Sequence, residues 1–221
     1  MISKYLLSTC LFIIDEFNEQ YKDIKIQTQE LLDIAYGYTE ADLVIRIGYP
    51  FRQMAKFVMQ SSRGKKGEGN DIVVESKDFK IEVKYLKTQK TGYQTDSNKS
   101  HNWENVFQDF TWLMEEIKNQ KKNNRAFIIG WFNSTTSFSN LMPLGVSDRN
   151  VKKSGYSRPI DNKKAMFFPF LAYKENFTNE INYRYELAFE SQRINIPDFS
   201  GKLECLFLAK PTDKFHMAIY Y

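Results

Sequence analysis

Apolar residues recur at helical spacing in two long segments of the chain. The first segment predicts an amphipathic helix near the N-terminus, with an apolar face made by Leu6, Leu7, Leu11, Ile14 and Phe17. The second predicts the clearest helix of the chain, with one apolar side made by Trp103, Val106, Phe107, Phe110, Leu113, Met114 and Ile117. Both helices therefore have a face that can pack against a core.

Shorter helices are predicted between these two segments. One covers residues 28–36 and ends at Gly37, since glycine favours helix C-termini. Thr39 is a plausible N-cap for the next helix, although residues 43–47 fit a short strand equally well. Pro50 suits the first turn of a further helix, whose apolar side would be Phe51, Met54, Phe57 and Val58.

Strand patterns begin after residue 69. Residues 71–75 and 79–86 predict a hairpin with a tight turn at Lys77 and Asp78. In its second strand, Ile81, Val83 and Tyr85 share one face, and Lys80, Glu82 and Lys84 share the other. A polar loop is predicted for residues 87–102.

The uniformly apolar segment 125–132 predicts a central strand that is buried on both faces. A strand, a crossover helix and a buried strand predict a parallel pair with a right-handed connection. Further strands are predicted at residues 166–173, 181–189, 203–209 and 215–221. The expected fold is α/β with a mixed (α+β) sheet, in a single domain over residues 1–221, with a helical N-terminal region (1–49), a core (50–132) and a loop and β-rich extension (133–221).

Composition favours carboxylates as the ligands of any metal. Cys10 and Cys205 lie in apolar surroundings, which predicts neither a disulfide framework nor a zinc site and suits the cytoplasm. Two histidines cannot build a His-rich site, so Mg²⁺ is favoured, with Mn²⁺ as an alternative. No apolar run approaches the ~20 residues that span a bilayer, so no membrane partner is expected.

Positive charge is concentrated in the middle of the chain. The net charge is +4, but residues 63–164 hold 19 Lys or Arg against 12 Asp or Glu. Loops 63–66, 87–102 and 149–164 could form a basic groove for nucleic-acid phosphates, although a basic stretch is more often a solvated face. Candidates for reading bases are Gln89, Gln94, Asn98, Arg149, Lys152, Lys153 and Arg158.

Asp71, Glu82 and Lys84 form the candidate catalytic group. Pairing of the hairpin strands can bring Asp71 close to Glu82, while Lys84 projects from the same face as Glu82. Two carboxylates and a backbone carbonyl, such as that of Val83, offer oxygen ligands for Mg²⁺. A water activated by the ion could attack phosphorus, and Lys84 could orient that water or neutralise developing charge. The alternative is a solvated hairpin face with an ordinary surface ion pair.

Two short segments carry a resemblance to a known family. They are Gly69 to Val74 and Glu82-Val83-Lys84, with ten residues between Asp71 and Glu82. Together they resemble the PD-(D/E)xK nuclease superfamily, which includes many type II restriction endonucleases. The resemblance implies that Asp71 and Glu82 are metal ligands and that Lys84 is the catalytic lysine. It also implies a restriction-endonuclease-like core in residues 50–132, with a helix, a three-stranded antiparallel meander, a helix and a strand.

Two parts of that pattern have no clear counterpart in the sequence. Asn70 stands where the motif has proline, and no segment between the Pro50 helix and Asp71 has the pattern of a first meander strand. The family often adds an acid from its first helix, and the acids left for that role are Glu40, Asp42 and Glu68.

The expected function is therefore Mg²⁺-dependent cleavage of double-stranded DNA by a restriction-type endonuclease. Cutting both strands of a duplex usually needs two active sites, which makes a homodimer reasonable. A related nuclease of repair, recombination, transposition or toxin type is an alternative. So are a non-catalytic binding domain of the same fold and a structural protein.

Overall fold

The computed structural model describes residues 2–57, 70–87, 97–119, 124–136, 168–172, 182–196 and 198–221. The helices there are α1 (Ile2–Gln20), α2 (Gln29–Gly37), α3 (Glu40–Gly48) and α4 (Ser97–Lys118). The strands there are β1 (Lys56–Phe57), β2 (Ile72–Val74), β3 (Phe79–Tyr85), β4 (Arg125–Phe132), β5 (Leu171–Ala172), β6 (Asn182–Tyr183), β7 (Ser191–Ile194), β8 (Leu203–Leu208) and β9 (Phe215–Tyr220).

A seven-stranded mixed sheet organises the fold. Its strand order is β1-β2-β3-β4-β9-β8-β7, and β5 pairs with β6 in a separate small sheet. Strands β3 and β4 run parallel, with α4 between them in the chain, while the other pairs in the large sheet are antiparallel. The predicted α/β class and the parallel pair joined by a helix are therefore confirmed.

Helices cover both faces of the sheet. On one face, α1, α2 and α3 pack over the apolar side of β3, where Ile81, Val83 and Tyr85 are buried as predicted. On the other face, α4 packs through Val106, Phe110, Leu113 and Ile117. Strand β4 contributes residues to both cores, and all eight of its residues are buried as the apolar segment predicts.

The capping residues set where the small helices begin. Thr39 forms a capping box with Asp42, in which each residue's side chain bonds to the other's backbone N–H. Residues 43–47 are therefore helical, which settles the helix-or-strand alternative. Helix α2 has Thr28 as its N-cap and ends at Gly37. These caps fix the position of Glu40, the first residue of α3.

Several predicted elements are wrong or shorter than expected. The helix expected from Pro50 is a single 3₁₀ turn (Tyr49–Phe51). Phe57 instead lies in β1, where it pairs with Ile72 of β2. Helix α4 begins at Ser97, inside the predicted polar loop 87–102. Within the predicted strand 181–189, only Asn182–Tyr183 is a strand among the described residues, and Tyr185–Leu187 form a 3₁₀ turn. Short strands lack enough alternation to be recognised from pattern alone.

A buried arginine joins three elements at the start of β4. The Arg125 side chain is fully buried and pairs with Glu116 of α4 and with Asp78, 3.0 Å away in the β2–β3 turn. It also donates to the carbonyl of Asp78, a residue in the left-handed conformation (φ 46°). Arg125 therefore holds the turn, the helix and the central strand together.

His216 of β9 lies in an aromatic enclosure. The rings of Trp131, Tyr183, Tyr185 and Phe207 surround it at centroid distances of 5.0–5.8 Å, all nearly perpendicular to the imidazole. Burial lowers the pKa of His216 to about 3 from the usual 6.5. The imidazole is therefore neutral in the folded protein at neutral pH.

This enclosure predicts a loss of stability in mild acid. As the pH falls from 6.5 towards 3, His216 takes a proton in the unfolded chain and not in the folded one, so protonation favours unfolding. The contribution approaches about 1.4 kcal/mol per pH unit. Urea denaturation at several pH values should show this slope, and His216→Phe should remove that part of it. The control Ile219→Val should lower stability without changing the slope, and an unchanged slope in His216→Phe would contradict the prediction.

Candidate active site

The candidate site lies beside the N-terminal end of β2, beyond which one edge of β3 is open. The two strands pair only from Val74↔Phe79 to Ile72↔Ile81, so within the described residues the rest of β3 has no strand on that side. Here side-chain carboxylates accept the backbone N–H bonds of β3 that a neighbouring strand would otherwise accept. The N–H of Val83 donates to Asp71 Oδ2 at 2.8 Å, and the N–H of Tyr85 donates to Glu40 Oε2 at 3.1 Å. The open edge of β3 is thus lined with acids.

Glu82 lies beside Asp71 on this edge. Asn70 Nδ2 donates to Glu82 Oε1 at 2.5 Å, and the carboxyl groups of Asp71 and Glu82 are close enough to share a hydrogen bond when one is protonated. Burial, together with the negative charges of Asp71 and Asp109, raises the pKa of Glu82 to about 9. Burial likewise raises the pKa of Asp71, although the N–H of Val83 opposes that change. Negative charge on these two carboxyl groups is therefore unfavourable in the folded protein, and a bound cation would stabilise it.

Lys84 is the basic residue of this group. Its ammonium lies 3.3 Å from Glu40 Oε1 and 3.2 Å from Asp109 Oδ2. Burial alone would lower the pKa of Lys84, but the charges of Glu40, Asp109 and Asp71 outweigh it and raise the pKa above its usual value. Lys84 is therefore charged and held between α3 and α4.

The structure thus brings together all three side chains that the sequence singled out, Asp71, Glu82 and Lys84. Of the acids considered for the first-helix position, Glu40 reaches the site, while Asp42 is engaged in the capping box with Thr39. Glu68 lies outside the described residues. The first strand of the antiparallel meander, for which the sequence offered no clear candidate, is β1, described at Lys56–Phe57.

Asn70 and Asp109 were not predicted as site residues. Asn70 is buried and contacts Glu82, at the position where the motif has proline. Asp109 lies on the second long helix, and a charged residue one turn from the buried Val106 and Leu113 was the available signal. Burial raises the pKa of Asp109 to about 6, with Lys84 acting in the opposite direction.

The residues fit a hard cation that keeps part of its water shell. Asp71 and Glu82 offer neighbouring carboxylates, and Val83 lies between Glu82 and Lys84 with a carbonyl that could add an oxygen ligand. Mg²⁺ typically binds through one or two carboxylates, with water and substrate phosphate completing its coordination. Among the described residues, no three or more His, Cys, Asp or Glu side chains are grouped to enclose a metal by themselves. A fully caged site is thus not the arrangement seen here.

The candidates for DNA contact lie largely beyond the described part of the chain. Gln89, Gln94, Arg149, Lys152, Lys153 and Arg158 fall outside it, and of Asn98 only the helical backbone is described. Loops 63–66 and 149–164 and most of 87–102 also lie outside the described residues. In the described ranges, no helix combines the length and apolar character needed to cross a membrane.

The comparisons with known proteins gave no match. Neither a protein-family model, nor a curated protein, nor a solved structure is similar to this chain at a significant level. The geometry of the site and the sequence motif are therefore the features that point to a function.

Proposed function

We propose that this protein is a Mg²⁺-dependent endonuclease that hydrolyses DNA phosphodiester bonds. The observation that carries the proposal is the convergence of Asp71, Glu82 and Lys84 at the open edge of β3. Two adjacent, half-buried carboxylates and a charged lysine are the groups that metal-assisted phosphoryl transfer requires. An ordinary solvated hairpin face would leave these side chains exposed and unpaired.

Each residue has a distinct role in this proposal. Asp71, Glu82 and the carbonyl of Val83 would hold the cation, while Asn70 keeps Glu82 oriented through its amide. The ion, when bound, would lower the pKa of a water and polarise the phosphate. Lys84 would orient the attacking water and stabilise negative charge on the phosphoryl oxygens. Glu40 holds Lys84 from the α3 side.

The charge of the site supports a cation requirement. The Lys84 ammonium lies 3.3 Å from the carboxylate of Glu40 and 3.2 Å from that of Asp109, and Asp71 contributes a third negative charge close by. A phosphodiester approaching this group would be repelled, since like charges in a partly buried site interact strongly. A divalent ion held by Asp71 and Glu82 would offset that repulsion.

The order of elements supports a restriction-endonuclease-like core. Helix α3, the antiparallel β1–β2–β3 meander, α4 and the parallel strand β4 follow one another as in the PD-(D/E)xK pattern. We infer a type II restriction enzyme that acts in the cytoplasm on double-stranded DNA. A homodimer is proposed because each site can cut one strand. Repair or toxin nucleases and a non-catalytic binding domain of this fold are the alternatives.

The test is cleavage of plasmid and phage DNA by the purified protein in Mg²⁺ or in EDTA. Discrete fragments are expected in the reaction with Mg²⁺ and not in the reaction with EDTA. Lys84→Ala is expected to lower the cleavage rate about 10²–10³-fold, since it removes charge stabilisation of the transition state. Lys80→Ala is the matched control, because Lys80 lies on the same face of β3 as Lys84 but in the part of the strand that pairs with β2, in register with Val73 and Arg125.

The outcomes separate the alternatives. A smear in place of fragments would favour a repair or toxin nuclease with the same active site. No cleavage of double-stranded DNA, single-stranded DNA or RNA would overturn the enzyme proposal and favour the binding domain. Equal losses in Lys80→Ala and Lys84→Ala would remove the assigned role of Lys84.

A further inference from the structure

Asp109 stands out among the residues of α4. It lies three residues after the buried Val106 and four before the buried Leu113, and its side chain is 20% exposed. Aspartate is a poor helix former, and burying a carboxylate in a helix interior is costly unless it is paired. The Asp109 carboxylate therefore requires a partner that offsets the cost of its burial.

The partner is Lys84, across the interface between α4 and the sheet. Asp109 Oδ2 lies 3.2 Å from Lys84 Nζ, and the Lys84 side chain is also 20% exposed. The other carboxylate on this ammonium, that of Glu40, comes from α3 and is 40% exposed. The ammonium is thus held from two sides by two helices that belong to opposite faces of the sheet.

A lysine needs such support because its charge is on a long, flexible side chain. With one carboxylate, the ammonium could follow that group away from Asp71 and Glu82. With carboxylates on both sides, its position between them is fixed. A displacement of about 1 Å at a reacting centre can lower a rate about 10²-fold.

We propose that Asp109 is a positioning residue that holds the Lys84 ammonium beside the Asp71–Glu82 pair, a role that rests on the proposed nuclease function. It acts through Lys84 and does not itself contact the substrate. The contact also links the crossover helix α4 to the polar face of β3, where the candidate site lies.

The first test separates turnover from binding. Asp109→Ala is expected to lower kcat about 100-fold while KM changes less than about threefold, because the substrate still binds and the lysine is misplaced. Asp109→Glu retains a carboxylate and is expected to recover much of the lost kcat. Glu115→Ala is the matched control, since Glu115 is an exposed acid of the same helix, and it should behave as wild type.

The second test reads the lysine directly and does not depend on cleavage. In a ¹H–¹⁵N spectrum of the full chain, the Lys84 ammonium should give a signal protected from solvent exchange, assigned by its absence in Lys84→Arg. Asp109→Ala should abolish that signal, and Asp109→Glu should restore it. Glu115→Ala should leave it unchanged.

The two tests fail in different ways. If the wild-type protein cleaves nothing, the nuclease function fails, while the ammonium signal still decides whether Asp109 holds Lys84. If the signal persists in Asp109→Ala, the positioning role is overturned. It is also overturned if Asp109→Ala cleaves as wild type, or if its loss only follows the fraction of unfolded protein.

Discussion

Replacing Glu82 by glutamine is expected to abolish cleavage, with a fall in kcat/KM on the order of 10⁴-fold. Glutamine retains the size of the side chain and can still accept the bond from Asn70. What it removes is the second of two adjacent carboxylates, and a neutral amide is a much weaker ligand for Mg²⁺. The cleavage assay used for Lys84→Ala measures this loss.

The same substitution is expected to stabilise the protein in the absence of metal. Burial beside Asp71 and Asp109 raises the pKa of Glu82 to about 9 from 4.5, so its charged form is disfavoured in the folded state. The wild-type protein should therefore lose stability as the pH rises from 4.5 to 9, because the unfolded chain gives up the proton first. Glu82→Gln should be free of this loss and melt a few degrees higher, about 2–4 °C per kcal/mol gained.

Metal dependence supplies the control for this prediction. Mg²⁺ should raise the melting temperature of the wild-type protein and have little effect on Glu82→Gln, since a ligand stabilises only the state that binds it. Glu75→Gln is the matched variant, because Glu75 follows β2 and makes an exposed ion pair with Lys56. Cleavage by Glu82→Gln near the wild-type rate, or an equal response of both proteins to Mg²⁺, would contradict the assigned role.

Replacing Arg125 by methionine is expected to lower the free energy of unfolding by about 3 kcal/mol. Methionine can fill part of the buried space, but it leaves Glu116, whose side chain is 16% exposed, without its cation. It also removes the two contacts to Asp78 in the β2–β3 turn. Arg125→Lys should recover little, because one ammonium cannot reproduce a planar group with several donors.

Chemical denaturation measures the effect of Arg125→Met, with Arg193→Met as the control. Arg193 is exposed on β7, so its replacement should change stability by less than about 0.5 kcal/mol. Adding Glu116→Leu to Arg125→Met should recover part of the loss if the stranded carboxylate is its main cause. Equal stabilities of Arg125→Met and Arg193→Met would refute the assigned role of the buried arginine.

The long periodic elements of this chain could be predicted from the sequence. Helix α1, the apolar side of α4, strand β3 and the β8–β9 pair have enough residues to show their patterns, and β4 is marked by its unbroken apolar run. Strand β1 could not be predicted, because its two described residues carry no alternation and Phe57 also fits a helical face. Its structure is set by pairing with β2, which is a tertiary effect.

The candidate site was predictable only as far as local spacing reaches. Glu82 and Lys84 are two apart on one strand, and Asp71 lies across the same hairpin, so strand geometry alone brings them together. Glu40 and Asp109 come from two helices that the chain folds back over opposite faces of the sheet. Their contacts with Lys84 depend on helix packing, which the sequence pattern does not specify.

The position of β4 at the centre of the sheet also bears on the order of folding. Its partner β9 begins at Phe215, so β4 leaves the ribosome long before that partner has been made. During this interval an eight-residue apolar strand has one unpaired edge, the kind of segment that aggregates. A chaperone that binds apolar strands during this interval should therefore increase the yield of native protein.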